Sequence, residues 1–202
     1  RIRVLEYEDW AESWKAFFPP QPIGRRLVIA PTWVEYAPQT EQIVLRLDPG
    51  MAFGTGLHAS TRLCLLALER LLSPGDRVLD VGAGSGILAI AAALQGAGEV
   101  QAIDNDPVAV EVARQNAALN GVTARVTVER ATLPGLPPSE TPLFTAGGYD
   151  LLLINILAEI IAALAGGVAA ALRPGGRFVA SGIIAPRAPL VEAALEAAGL
   201  VM

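Results

Sequence analysis

The residues with the clearest chemical purpose run Leu79-Asp80-Val81-Gly82-Ala83-Gly84-Ser85-Gly86. They stand where a short aliphatic run, Arg77 to Val81, gives way to an alanine-rich helical segment, Gly86 to Gln95. Three alternate glycines let the backbone turn without side-chain bulk, so a ligand can approach the main chain and the N-terminus of the following helix. Gly84-Ser85-Gly86-Ile87-Leu88-Ala89 formally satisfies the G-x-G-x-x-G/A pattern of nicotinamide dinucleotide binding. In that register Asp80 has no role, and counted from Gly82 the third position is Ile87 rather than glycine. A carboxylate just before the loop serves a pyrophosphate poorly. It suits a ligand with a cationic end, such as the amino group and sulfonium of S-adenosylmethionine, against the plainer reading of a tight turn.

Asp104 closes a second aliphatic run, 24 positions after Asp80, in Ala102-Ile103-Asp104-Asn105-Asp106-Pro107. A carboxylate at that strand end can take both hydroxyls of an adenosyl ribose. Asp106, just before Pro107, reads as a helix N-cap. Asn155 ends a fourth run, Asp150 to Ile154, and faces the same crevice as Gly82 and Asp104 if the sheet is parallel. Its amide oxygen can accept from an amine and aim the nitrogen lone pair at a methyl group, unless the residue merely caps the next helix. Asp48 to Thr61 is too glycine-rich for an element and too apolar for an ordinary linker, and reads as a lid or entry loop. Within it His58 is the only histidine, which excludes a multi-histidine metal site and leaves one imidazole, more a hydrogen-bonding scaffold than a base. Thr61 opens the next helix and either caps it or bonds the methionine portion of the cofactor. No metal is expected, and no G-x-S-x-G elbow or Walker loop occurs.

The elements that must position these residues follow from alternation of short aliphatic runs with helical segments beyond Arg77, the signature of βαβ units. Strands are expected over Arg77–Val81, Glu99–Ile103, Arg125–Glu129, Asp150–Ile154 and Arg177–Ser181. Helices are expected over Gly86–Gln95, from Pro107 to Asn120-Gly121, over Ala158–Leu172 and over Pro189–Ala198. Arg130 to Gly148, with four prolines, reads as a long surface loop, and Arg173-Pro174-Gly175-Gly176 as a turn. Leu200 to Met202 begins what reads as a further strand. Ahead of this domain, Glu8 to Phe18 carries Trp10 and Trp14 at helical spacing, Leu27–Ile29 and Ile43–Leu47 look like strands, and Ala59–Leu72 reads as a helix. The fold class is α/β, with a doubly wound, mostly parallel sheet and helices on both faces.

Composition excludes several classes. The chain has 202 residues, 52% of them hydrophobic, with 15 basic against 20 acidic side chains, so neither disorder nor a broad basic nucleic-acid surface is expected. Cys64 is the only cysteine, which leaves no intrachain disulfide and fits a reducing, cytoplasmic setting. The apolar stretch Leu151 to Leu172 is long enough for a membrane span, but Asn155, Glu159 and Gly166-Gly167 interrupt it and a strand followed by a helix explains it better. With Arg1 at its start and no signal sequence, the chain reads as a fragment.

These motifs resemble the bacterial methyltransferases that modify large-subunit ribosomal protein eleven, a family within the Rossmann-like class I S-adenosylmethionine-dependent methyltransferases. The glycine loop, Asp104 and Arg173 to Gly176 are similar to the superfamily at large. Asp48 to Thr61 resembles the family's D-P-G-x-A-F-G-T-G-x-H-x-x-T, Asn155-Ile156-Leu157-Ala158 its N-I-L-A segment, and Ser181-Gly182-Ile183 a third stretch. The resemblance implies that Thr61, Gly82, Gly84, Asp104 and Asn155 contact S-adenosylmethionine and that Asn155 lies beside the transferred methyl. It also implies a protein substrate, ribosomal protein eleven, methylated on lysine or N-terminal amines, with no direct contact to nucleic acid or membrane. Residues 1–47 then form a linker helix and lead-in after a substrate-recognition domain that is not in the chain. Residues 48–202 form the cofactor-binding catalytic domain, short of the family's terminal strand hairpin. An oxidoreductase and a silent adenosyl-binding module are the readings from other classes.

Overall fold

The computed structural model describes residues 19–47, 58–135 and 146–201. The expected helix bearing Trp10 and Trp14, and the lid segment from Asp48 to Leu57, lie outside the described residues. Five parallel strands form the main sheet in the order β6-β5-β4-β7-β8: β4 (Arg77–Val81), β5 (Glu99–Asp104), β6 (Val126–Arg130), β7 (Tyr149–Asn155) and β8 (Leu172–Ser181). The helices between and around them are α1 (Ala59–Leu71), α2 (Ile87–Leu94), α3 (Pro107–Leu119), α4 (Ala158–Ala171) and α5 (Ala188–Ala197). The order of the strands reverses at β4, so β4 and β7 stand side by side with the loops at their carboxyl ends splayed to opposite faces. In open α/β sheets that is where a ligand crevice forms.

Strand periodicity sorts the core into two layers. Val78, Val100, Ala102, Leu151 and Leu153 pack with α1, α2 and α3, while Leu79, Val81, Ile103, Leu152 and Ile154 pack with α4 and α5. Both faces of every central strand are thus covered, which is why these strands are continuously aliphatic rather than alternating with polar residues. The apolar stretch from Leu151 onward divides between β7 and α4, and no helix among the described residues is long and apolar enough to cross a membrane.

A second, three-stranded sheet precedes the main one, with β1 (Gln21–Ile23) antiparallel to β2 (Leu27–Pro31) and β3 (Ile43–Leu47) parallel to β2. Strands β2 and β3 fall where the sequence places them. The short β1 escapes notice because Pro22 lies inside it, and its edge position is where a strand tolerates proline. Ile23, Leu27, Ile29, Leu45 and Leu47 join the same core layer as α2. The amide of Asn120, at the end of α3, clips this sheet in place. Its Oδ1 accepts from the Arg46 N–H and its Nδ2 donates to the Arg46 carbonyl, both at 2.8 Å.

Three expectations need correction. Leu200 and Val201 do not begin a strand. Gly199 sits at φ +85° and the N–H groups of Gly199 and Leu200 return to the carbonyls of Glu196 and Leu195, which closes α5 instead of extending the chain. The residues after β6 are not all surface loop, since Leu133 is fully buried and Gly167 of α4 lets Leu133 and Pro134 approach closely. Finally, β8 begins at Leu172 rather than Arg177. Leu172 pairs with Tyr149 and Arg177 with Leu151, so Arg173 to Gly176 bulges out between the two pairing points.

Candidate functional site

The glycine loop is fastened from below. The N–H groups of Gly82 and Ala83 both donate to the Ile103 carbonyl, at 2.9 and 3.1 Å, and the Asn116 amide on α3 donates to the Ser85 carbonyl at 2.9 Å. Gly82, Gly84 and Gly86 have φ of +70°, +55° and +78°, backbone that a side chain would strain. Gly86 is the N-cap of α2, so the loop delivers the chain straight into the positive end of that helix.

Thr61, Gly82, Gly84 and Asn155 line one cavity of about 470 Å3, with His58, Ile156, Leu157 and Gly182 completing its wall. That volume lies in the range of about 300–1,000 Å3 usual for small-molecule sites. A larger groove, about 940 Å3, runs between β8 and α5 along Phe178, Val191 and Leu195, but holds none of the predicted site residues. Asn155, the last residue of β7, donates from Nδ2 to Thr61 Oγ1 at 3.3 Å. The donation fixes the amide so that Oδ1 is its acceptor end. The cap reading of Asn155 is set aside, because α4 has Leu157 as its N-cap with no side-chain bond. Thr61 is buried and does not cap α1 either.

Asp104 is not in the cavity wall but one step away from it. Its Oδ2 accepts from the Gly84 N–H at 2.9 Å and its Oδ1 from the Asp106 N–H at 3.0 Å. Each carboxylate oxygen keeps a second lone pair, so the group remains able to accept from a pair of hydroxyls. Asp106 caps α3 as expected, accepting from the Val108 N–H at 2.8 Å. His58 is the N-cap of α1, with Nδ1 2.7 Å from Ser60 Oγ, which is the scaffold role rather than that of a free base.

Asp80 departs from the expectation that it meets the cationic end of a ligand. It is 1% exposed, absent from the cavity wall, and turned beneath the loop, where Oδ2 accepts from the Ala89 N–H at 3.0 Å. Burial pushes its pKa up to about 7, the Ala89 hydrogen bond works against the rise, and the charge of Asp104 adds to it. Ser181 belongs to a stretch that the resemblance marks, whereas Asn116 is not among the residues expected from sequence. Ser181, at the end of β8, donates to the Ser60 carbonyl at 3.4 Å and so links β8 to the first turn of α1. Asn116 was legible as a lone amide on the apolar face of α3.

A parallel sheet of this order, with a glycine loop after β4, an acid ending β5 and an amide ending β7, defines the Rossmann-like fold of class I methyltransferases. A precorrin-6y C5,15-methyltransferase from Geobacter metallireducens shares it at 19% identity, with a TM-score of 0.58 over 71% of this chain and 74% of that one. The chain belongs to the Ribosomal protein L11 methyltransferase (PrmA) family, which it matches over residues 1–202. It is 52% identical over 200 residues to the ribosomal protein L11 methyltransferase of Symbiobacterium thermophilum, covering 99% of this chain and 62% of that protein. The corresponding protein of Chloroflexus aurantiacus is 49% identical over 219 residues, covering 99% and 66%. The chain thus spans about three fifths of the length of these curated relatives. The crystal structure of a ribosomal protein L11 methylase from Lactobacillus delbrueckii subsp. bulgaricus superposes with a TM-score of 0.78 at 36% identity, over 90% of this chain and 89% of that one.

Proposed function

We propose that the chain binds S-adenosylmethionine across the glycine loop and supports transfer of its methyl group to an amine of ribosomal protein L11. The observation that carries the reading is the convergence of Thr61, Gly82, Gly84 and Asn155 on one cavity at the carboxyl ends of β4 and β7. Family membership supplies the substrate, and lysine and N-terminal amines are the nucleophiles whose chemistry suits an amide acceptor. The cytoplasm, where ribosomal proteins are made and assembled, is the setting this reading implies.

The residues present fit the cofactor. Glycines at positive φ keep the loop free of side chains, and the N-terminus of α2 lies behind it for a carboxylate. Asp104 sits at the strand end with acceptor capacity for the ribose. When bound, the cofactor supplies an electrophilic methyl group activated by the sulfonium charge. The protein's share is alignment and desolvation: Oδ1 of Asn155, oriented by Thr61, accepts an N–H of the incoming amine and turns its lone pair toward the methyl. The amine must arrive neutral, and a cationic cofactor beside it disfavours the ammonium form. Ile156, Leu157 and Ile160 give the cavity an apolar side beside the reacting atoms.

Residues 1–47 serve as a lead-in, whose strands β1 to β3 pack onto the catalytic domain of residues 48–202. Isothermal calorimetry with S-adenosylmethionine, S-adenosylhomocysteine and NAD tests the cofactor reading. Binding of the first two and not the third is expected, and preference for NAD would return the oxidoreductase reading.

A further inference from the structure

Asp80 is a buried acid that the proposed chemistry leaves unused. Its Oδ2 has one donor, the Ala89 N–H, while Oδ1 is buried with no hydrogen-bond partner among the described residues. None of the ion pairs formed among those residues includes it. A carboxylate anion in such a place is shielded from bulk solvent and has no counter-charge among the described residues, and a buried unsatisfied oxygen calls for a cause.

The surroundings make the anion still less favourable. On β5 the directly paired neighbour is Ala102, and the charged group facing Asp80 from that strand's end is Asp104, of like sign. From β7 it meets Leu153, and from α1 the Cys64 thiol, itself pushed up to about 11 chiefly by burial and so neutral. From α2 comes only the Ala89 N–H, with the positive end of that helix behind it. Two carboxyl groups beneath and beside one loop, with no cation between them among the described residues, form a region of negative potential when both ionise.

We propose that Asp80 is a positioning residue that carries a proton on its carboxyl group before the cofactor binds and releases it to solvent when a cationic adenosyl cofactor occupies the loop above. The inference rests on reading the cavity as a site for S-adenosylmethionine. In the release step the carboxyl O–H bond breaks, its electron pair stays on oxygen, and the proton passes to buffer. The charge lost from the carboxyl group is replaced by that of the cofactor. The ionised carboxylate then holds the Ala89 N–H more strongly and tightens the tie between β4 and α2 across the loop. Cofactor affinity must therefore rise with pH until the cofactor-free group is itself ionised.

Two measurements test this. In the first, carbon-13 NMR follows side-chain carboxyl resonances of the cofactor-free protein, with Asp80→Asn identifying the resonance. A midpoint near about 7 is expected, and a midpoint in the ordinary range near 4 overturns the proposal whether or not any cofactor binds. In the second, calorimetry in phosphate and in Tris at pH 7 counts protons released on binding. S-adenosylmethionine is expected to release about half a proton, S-adenosylhomocysteine, which lacks the sulfonium charge, fewer, and Asp80→Asn none. The affinity for S-adenosylmethionine is expected to tighten about fivefold from pH 6 to pH 7 in the wild type and to stay level in the variant. Equal proton release by variant and wild type assigns the proton elsewhere and overturns the proposal. Asparagine matches the neutral acid in shape, so the variant is expected to fold, and the wild-type resonance and proton count stand without it. Failure of S-adenosylmethionine to bind refutes the cofactor reading and the release step with it, while the resonance still reports whether the proton is held.

Discussion

Replacing Gly82 by alanine probes the loop at its tightest point. The backbone there has φ +70°, and a Cβ would stand 2.5 Å from Cγ2 of Ile156, far inside van der Waals contact. Left-handed backbone costs an alanine roughly 1–2 kcal/mol. Overlap with a packed side chain adds about 1–3 kcal/mol if Ile156 must shift. The sum, about 2–5 kcal/mol, corresponds to a fall in melting temperature on the order of 4–20 °C for a chain of this size. Because Ile156 also lines the cavity, a shift of its side chain reshapes the cavity wall, and affinity is expected to fall together with stability. Urea unfolding and calorimetry with S-adenosylhomocysteine measure the two effects. The double variant Gly82→Ala with Ile156→Ala separates them, since it relieves the overlap and leaves the strained φ. Recovery of about 1 kcal/mol or more relative to the sum of the single variants is expected. Wild-type stability and affinity in Gly82→Ala, or strict additivity in the double variant, would refute the close approach of loop and Ile156.

Asp104→Ala removes the acceptor of two backbone N–H groups as well as the ribose partner, and cofactor affinity should fall on the order of 10- to 100-fold by calorimetry, from a charged-bond loss of about 1.5–3 kcal/mol. Asn155→Ala should lower kcat more than it weakens cofactor binding, and equal losses in both would make the residue a plain cofactor ligand. Cys64 is fully buried with its thiol raised to about 11 by burial, so the native protein should resist a thiol reagent and react only on unfolding. Two carboxyl groups should move stability with pH in opposite senses, read by urea unfolding from pH 3 to 8. Asp80, raised by burial, favours the fold while protonated, and its contribution declines as pH rises from about 4 toward about 7, a decline that Asp80→Asn removes. Asp150, lowered by the Arg77 N–H and by Arg173, contributes above the ordinary carboxylate range and loses that contribution as pH falls.

The strands and helices beyond Arg77 were legible because burial on both faces demands aliphatic runs and because glycine and proline mark their ends, as at Gly86, Pro107 and Gly121. Thr61 and Asn155 could each be named from sequence, but their hydrogen bond joins residues 94 positions apart and depends on how α1 crosses β7. Asp80 departs from the sequence expectation for a related reason. Its position before the loop says that it is near the ligand, while the pleat of β4 decides that it points beneath the loop toward Ala89. The early pairing of β8 at Leu172 was hidden because the turn residues Arg173 to Gly176 sit inside the strand as a bulge.

The most direct test of the proposed activity is a single-turnover methyl-transfer assay, with this chain in excess over ribosomal protein L11 and a methyl-labelled S-adenosylmethionine. Label is expected to appear on amines of the ribosomal protein and to be lost in Asn155→Ala. Tight binding of the cofactor with no label in the protein, even at long times, would contradict the proposal and leave an adenosyl-binding module.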